Sequence, residues 1–240
     1  MKKYLTLIIL NFFDYFYQKK ILKFLKKNNF RDFEIFFDVG AHKGESIKLF
    51  LKNFTISKIY SFEASPINYK KLTYMKKKYQ NTFAKSRIII ENIALGNENK
   101  KILFNQSDES SSSTLNPINY NSKYFKKKQK LLKGNKSFFT KIEVQMKTLE
   151  SYLLKYNIEK IDFLKIDTEG YEFGVLLGSK EKIKEIKLIM FEHHYDDMIK
   201  KNYKFHDINT LLVKNNFTQI YKSRMPFRKT FEYIYLNQKI

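Results

Sequence analysis

The chain of 240 residues contains no cysteine, which removes disulfides, thiolate metal sites and a cysteine nucleophile from consideration. Arginine is scarce as well: Arg31, Arg87, Arg224 and Arg228 are the only four. The bidentate guanidinium fork that favours phosphate and base-edge recognition is therefore nearly missing, although the formal net charge is +22. No apolar run approaches the roughly 20 residues needed to span a bilayer. The opening Met1-KKYLTLIIL pairs a basic lead with an apolar stretch from Leu5 to Leu10, but Asn11, Asp14, Lys19 and Lys20 follow closely and no small-residue cleavage site is present. These absences read as a cytoplasmic protein, with the inner membrane surface as an alternative site of attachment.

Apolar residues make up 43% and aromatics 17% of the chain, so this is a folded protein despite its lysine and asparagine content. Its length allows one α/β domain with an appendage. Lysine, asparagine, isoleucine and phenylalanine are spread along the whole chain. That spread fits an A/T-rich coding sequence and solvated faces better than a nucleic-acid footprint.

Residues 4 to 30 place Leu5, Ile8, Ile9, Phe12, Phe13 and Phe16, then Ile21, Leu22, Phe24 and Leu25, at helical spacing with lysines between them. This predicts an N-terminal amphipathic helical extension over 1–30. It covers one edge or face of the main domain, 31–240, or touches a membrane surface or a partner. Short apolar runs then alternate with helical ones. Ile35 to Val39, Lys58 to Phe62, Arg87 to Ile93, Ile161 to Ile166 and Lys187 to Phe191 read as buried strands. Ser46 to Lys52, Pro66 to Tyr79, Leu149 to Tyr156, Tyr171 to Lys184 and Phe205 to Asn215 read as helices. The alternation predicts a doubly wound, mostly parallel α/β sheet. Phe217-TQIYKS and Phe231-EYIYLN are joined too tightly for a crossover and should pair antiparallel. Residues 105 to 140, with a serine run at 110 to 113 and a lysine-dense stretch at 123 to 133, read as a long loop or an inserted helix.

Ligands of an open α/β sheet sit at the carboxyl ends of its strands. There, Asp38 is followed by Gly40 and Gly44, which let the backbone pass close to a ligand and enter the next helix. The second strand ends in Glu63, a carboxylate that can accept from both hydroxyls of a ribose. A nicotinamide dinucleotide would require G-x-G-x-x-G, which Gly40-AHKG-Glu45 does not supply.

Phe37-DVGAHKG, Phe62-EASP, Asn92-IALGN, the serine run, Thr148-LESYL, Ile161-DFLKIDTEGYEFGVLLG and Ile189-MFEHH together resemble the FkbM-type methyltransferases, in order and spacing, over about residues 35 to 195. Lys165-IDTEGYE is the most specific piece. The resemblance implies a Rossmann-like class I methyltransferase fold, with a seven-stranded sheet whose last strand is antiparallel, and S-adenosylmethionine as cofactor. It places Asp38, Gly40, Ala41, His42 and Gly44 around the methionine part, Glu63 with Ala64 at the ribose, and Asn92 and Ala94 beside the adenine. His42 and Ala64 depart mildly from the family's more common asparagine and proline.

Methyl transfer to oxygen requires a group that takes the acceptor's proton. Asp167 and Glu169 at the end of the fourth strand, and His193 and His194 with Glu192 at the end of the fifth, are the candidates. Asp167, Glu169 and His193 carry the catalytic assignment, Asp167 doubling as a cofactor ligand. Their bland alternatives are a helix cap for Glu169 and a surface position for one histidine. Lys165 reads as the partner of a nearby acid. Asp167, Glu169, Glu192 and His193 also form a candidate oxygen-rich metal set, which the family pattern does not require. The expected reaction is O-methylation of a sugar hydroxyl on a bacterial surface polysaccharide or related glycan, an acceptor implied by the resemblance alone. The rivals are an RNA or protein methyltransferase docking through lysines, and a non-enzymatic module of a glycan-synthesis complex.

Overall fold

A computed structural model describes residues 2–107, 112–132 and 139–240. Parts of the serine run and of the 105–140 segment lie outside them, as do the side chains of residues 2–12, 14 and 15 in the first helix and of residues 128, 131 and 132. The chain opens with α1 (Lys2–Lys27) and continues through β1 (Asp32–Val39), α2 (Glu45–Leu51), β2 (Thr55–Phe62), α3 (Pro66–Thr82) and β3 (Arg87–Glu91). Three peripheral strands follow, β4 (Ala94–Leu95), β5 (Lys100–Ser107) and β6 (Phe139–Lys147), with α4 (Lys123–Leu132) between the last two. The remaining elements are α5 (Leu149–Lys155), β7 (Ile161–Ile166), α6 (Glu172–Leu177), a 3-10 helix (Lys180–Glu185), β8 (Ile186–His194), α7 (Phe205–Lys214), β9 (Phe217–Arg224) and β10 (Thr230–Asn237).

The main sheet has seven strands in the order β3-β2-β1-β7-β8-β10-β9. All neighbours are parallel except β10, which runs antiparallel to both β8 and β9. Strand order reverses between β1 and β7, so the crevice at their carboxyl ends is the place where this topology receives a ligand. A second sheet, β4-β6-β5, flanks it.

Strand parity divides the core. Ile35, Phe37 and Val39 of β1 face a cluster closed by Tyr152 of α5, Val175 of α6 and Ile208 of α7. Phe36 points the other way, onto a cluster formed with Ile21 and Leu25 of α1, Phe50 of α2 and Leu72 of α3. There its ring stacks on Phe50 at 4.8 Å, and Phe163 of β7 lies 5.4 Å away. Leu25 is fully buried, and truncating such a residue to alanine costs about 2 to 5 kcal/mol. Half of α1 is thus an integral part of the layer over β1 and β10. Pro66 opens α3 behind Ser65, whose hydroxyl caps the helix by accepting from the Asn68 N–H.

Two expectations are corrected. The helix expected over Tyr171 to Lys184 breaks at Gly178–Ser179, where the Gly178 backbone packs so closely on the Gly96 carbonyl that a Cβ would stand 1.9 Å from its oxygen. The 105–140 segment does contain a helix, but strands β5 and β6 flank it and pair antiparallel over eight residue pairs.

Candidate active site

The turn after β1 is held by its neighbours on both sides. The N–H groups of Gly40 and Ala41 donate to the Phe62 carbonyl, and Asp167 N–H donates to the Val39 carbonyl. Gly40 has φ 82° and its missing Cβ would lie 1.9 Å from the Asp167 carbonyl oxygen, so only glycine fits here. Glu63, at the end of β2, locks this turn to its own: one carboxylate oxygen accepts from His42 N–H at 2.7 Å, the other from Ser65 N–H at 2.8 Å. Burial pushes the Glu63 carboxyl up to about 7 against those hydrogen bonds. The Asn92 carboxamide donates to the Glu63 carbonyl at 2.8 Å and so fixes the backbone of the β2 turn. Ala64 and Ala94 join Met146 and Tyr171 in an apolar cluster beside it. Sequence reading brought these positions together, and the structure does place them on adjoining turns.

Beneath the turn lies an ion cluster. Asp38 is fully buried, accepts from Ser46 Oγ at 2.6 Å, and leaves Oδ1 without a hydrogen bond, 3.5 Å from Lys165 Nζ. Lys165 Nζ donates to Asp167 Oδ2 at 3.2 Å. Burial alone would lower the lysine pKa, yet Asp167, Asp38 and the nearby Glu192 and Glu232 hold it above its ordinary range. Burial pushes Asp38 up despite Lys165. Glu192 and Glu232 stand opposite each other in the β8–β10 ladder. Burial raises both carboxyls and Asp167 repels each; Glu232 adds to the rise at Glu192, while Lys165 opposes it at Glu232.

The loop after β7 carries Glu169 with φ 51° and Gly170 with φ 94°. Glu172, fully buried, organises it: Oε1 accepts from the N–H groups of Thr168 (3.2 Å) and Gly170 (2.8 Å) and from the Thr168 hydroxyl, and Oε2 accepts from Tyr203 OH at 2.7 Å. Thr114 Oγ1 donates to the Glu169 carbonyl at 2.8 Å, and the Asn116 carboxamide donates to that of Gly170. His194 Nε2 lies 3.7 Å from both Glu169 Oε2 and Glu192 Oε2, with its Nδ1 facing Asp196. Burial opposes the imidazolium, but Asp196, Glu169 and Glu192 prevail and raise the His194 pKa to about 9.

The catalytic expectation for His193 is corrected. Its side chain leaves β8 on the opposite face, boxed by Tyr195, Tyr203 and Phe205 at ring distances of 4.7, 5.8 and 5.7 Å. Burial, with Lys201 and His194 nearby, lowers its pKa to about 3, so it is a neutral core histidine. The metal set that included it does not converge, and among the described residues no group of three or more His, Cys, Asp and Glu side chains is arranged to hold a metal ion. Glu172, Thr114, Asn116, Tyr203 and Glu232 had no role in the sequence reading; only Glu172, inside the Lys165-IDTEGYE motif, carried a local signal.

A groove of about 840 Å³ lies elsewhere, between α2 and α3, lined by Lys43, Lys48, Lys70, Tyr74 and Tyr79 among others. It contains none of the strand-end carboxylates, so the chemistry is assigned to the switch-point crevice.

Comparison with known proteins agrees with this topology. The profile described as "Methyltransferase FkbM domain" matches residues 38–219. No curated protein matches the chain by sequence. Among solved structures, the methyltransferase FkbM from Methylobacillus flagellatus superposes with a TM-score of 0.56 at 15% identity, covering 85% of this chain and 43% of that one. The chain thus spans less than half the length of that relative. Magnesium protoporphyrin IX methyltransferase from Synechocystis with bound SAM gives 0.50 at 8% identity, covering 92% and 77%. The N-methyltransferase NodS from Bradyrhizobium japonicum gives 0.51 at 8% identity, covering 95% and 97%. At these identities the structural likenesses speak for the class I methyltransferase fold, and the match over most of the chain establishes that it belongs to the FkbM methyltransferase family.

Proposed function

We propose that the chain transfers a methyl group from S-adenosylmethionine to a hydroxyl, on a sugar of a surface polysaccharide or related glycan. One observation carries the cofactor assignment: in a chain of net charge +22, the switch-point crevice gathers Asp38, Asp167, Glu169, Glu192 and Glu232 around Lys165 and His194. A ligand that is itself cationic would favour the ionised forms of the raised Asp38, Glu192 and Glu232 carboxyls, whereas a dinucleotide phosphate would oppose them. Asp38 Oδ1, which pairs with Lys165 but accepts no hydrogen bond, and the glycine turn fit the methionine end. Glu63, with lone pairs left on both oxygens, fits the ribose. The apolar wall of Ala64 and Ala94 fits the adenine.

Bound there, S-adenosylmethionine supplies an electrophilic methyl group on a positively charged sulfur. Glu169 is the group assigned to take the acceptor's proton: it is partly exposed and stands on a loop pinned by Glu172 and Asn116. His194, a cation at neutral pH, lies 3.7 Å from the Glu169 carboxylate, and Lys165 pairs with Asp167 at 3.2 Å. The glycan acceptor rests on the settings in which this family commonly works, and the scarcity of arginine weighs against RNA.

The test is incubation with methyl-labelled S-adenosylmethionine and separated glycans, nucleic acids and proteins. Label in the glycan fraction is the expected result. Label confined to RNA or protein overturns the acceptor, and failure to bind the cofactor overturns the whole reading.

A further inference from the structure

We infer that the groove between α2 and α3 holds an acidic stretch of the acceptor glycan and so grips the substrate at a second point, beside the cofactor turn. The inference rests on the glycan reading of the acceptor and narrows it to a glycan that bears carboxylates.

The first observation is how the groove is built. Gly44 opens α2 without a side chain, and a Cβ there would stand 3.0 Å from Leu72 Cδ1 and 3.3 Å from Tyr79 Cε2. Helix α3 therefore lies close against the start of α2, and the Tyr79 ring, 4% exposed, forms the floor. Ile67, Lys70, Lys71 and Tyr74 recur at the spacing of one helical face and line the α3 side, with Lys43 and Lys48 on the α2 side. The groove's 840 Å³ falls within the roughly 300 to 1,000 Å³ of recesses that enclose small ligands.

The second observation is that these side chains are not used by the fold. Tyr74 is 72% exposed and Ile67 52%, so neither contributes much burial. Among the described residues, Lys43, Lys48, Lys70 and Lys71 form no ion pair. Glu45 is the one acid on the lining, and its carboxylate serves its own turn: Oε2 accepts from Lys43 N–H at 3.1 Å and lies 3.2 Å from His42 Nδ1. Four cations thus border a recess whose remaining lining is apolar or aromatic.

Charge and shape select the occupant. Ammonium groups around an apolar floor are complementary to a ligand that is anionic at its edges and apolar on its faces. A glycan of uronic-acid type has that form. Its carboxylates meet lysines, whose point charges on flexible stems follow an irregular spacing, and the C–H face of a sugar ring is drawn to the negative face of an aromatic ring such as Tyr74. Single-stranded RNA stacks successive bases on several rings, but Tyr74 is the one exposed ring on this lining, which holds no arginine. A bilayer receives a projecting apolar face rather than a recess. The crevice itself is lined with carboxylates, so acidic groups of an acceptor need a place outside it. Lys43 joins the two sites, since it stands between Gly40 and Gly44 next to His42, whose N–H is held by Glu63.

The test is calorimetric titration with an oligogalacturonate, with its methyl ester, which keeps the rings and removes the charge, and with poly(U), at physiological ionic strength. The acid is expected to bind at least about tenfold tighter than the ester. Lys70→Gln/Lys71→Gln and Tyr74→Ala, all at exposed positions, should each weaken it about fivefold or more. Lys20→Gln/Lys23→Gln removes the same charge from exposed positions on α1 and should stay within about twofold of wild type. Equal losses in the two lysine pairs would show that net charge alone holds the glycan and would overturn the groove. Failure of the acid to bind, an ester that binds as well, or an unchanged Tyr74→Ala overturns it too. Tighter binding of poly(U), lost in the same groove variants, overturns it in favour of RNA. The titration needs neither cofactor nor turnover, so its failure is separate from a failure to bind S-adenosylmethionine or to label glycans.

Discussion

His193 and His194 are consecutive in the chain but stand on opposite faces of β8, the first among aromatic rings and the second among carboxylates. The two therefore answer differently to substitution. His193 Nδ1 is buried without a hydrogen bond, a situation worth about 1 to 3 kcal/mol of destabilisation. His193→Phe should keep methyl transfer within about twofold of wild type and leave the melting temperature equal or higher. Loss of turnover in a folded His193→Phe protein would return this residue to the catalytic set.

Glu169→Gln removes the proposed proton acceptor while keeping its size. The rate constant should fall by about 10² to 10⁴, with cofactor affinity nearly unchanged. Single-turnover kinetics and calorimetry separate the two quantities. Wild-type turnover in this variant would move the role to Asp167.

The His194 pKa, raised to about 9 by Asp196, Glu169 and Glu192 against burial, carries a pH signature. Because the folded value lies above the unfolded one of about 6.5, the stabilisation is complete below that pH and is lost as pH rises through about 9. Its upper bound is about 3.5 kcal/mol, taking about 1.4 kcal/mol per pKa unit. The raised Glu63 and Glu232 carboxyls lose their contribution lower, by about pH 7. Thermal melts between about pH 7 and 9 should then show wild type losing stability faster than His194→Gln. Parallel curves would show that the histidine is not held as a cation.

Glu63→Ala removes the acceptor proposed for the ribose hydroxyls, and that of the His42 and Ser65 N–H groups. S-adenosylmethionine affinity should drop by about 1.5 to 3 kcal/mol. Calorimetry on a variant with a wild-type melting profile decides it, and unchanged affinity would show that Glu63 only ties the two turns together.

Gly40→Ala sets a methyl group against the Asp167 carbonyl, in a backbone conformation that disfavours any side chain. Because the Asp167 N–H to Val39 hydrogen bond joins the same two strand ends, β1 and β7 have to part at the crevice. The expected outcome is a stability loss above about 3 kcal/mol together with loss of cofactor binding. Denaturant unfolding and calorimetry read both.

The strands that build the crevice were legible because β1, β2, β7 and β8 are buried on both faces, and a continuous apolar run ending in an acid or glycine marks the carboxyl end of each. The same double burial hid which face carries the site. Period-two parity puts His193 with Ile189 and Phe191, and His194 with Met190, but both sets are core residues and parity alone favours neither. The small sheet was missed for another reason. β5 and β6 pair across the whole inserted segment, and their exposed, mixed polarity gives no local strand signal. The supports of the loop bearing Glu169 were equally silent, since Thr114 and Asn116 reach Glu169 and Gly170 from 55 and 54 residues away.

The carboxylate of Glu172 imposes a division of labour on the rim of the crevice. By accepting from Thr168, Gly170 and Tyr203 at once, it turns the loop bearing Glu169 into a piece that cannot be remodelled in part. Any lineage of this scaffold that changes its acceptor has to do so elsewhere, in the segments around Asn116 and Ile199 that meet through an isolated Ile118–Ile199 bridge. A designer who grafts new loops at 117–122 and 197–202 keeps the Glu172 bonds that hold the loop bearing Glu169, and keeps the Asp196 contact to His194 beside it.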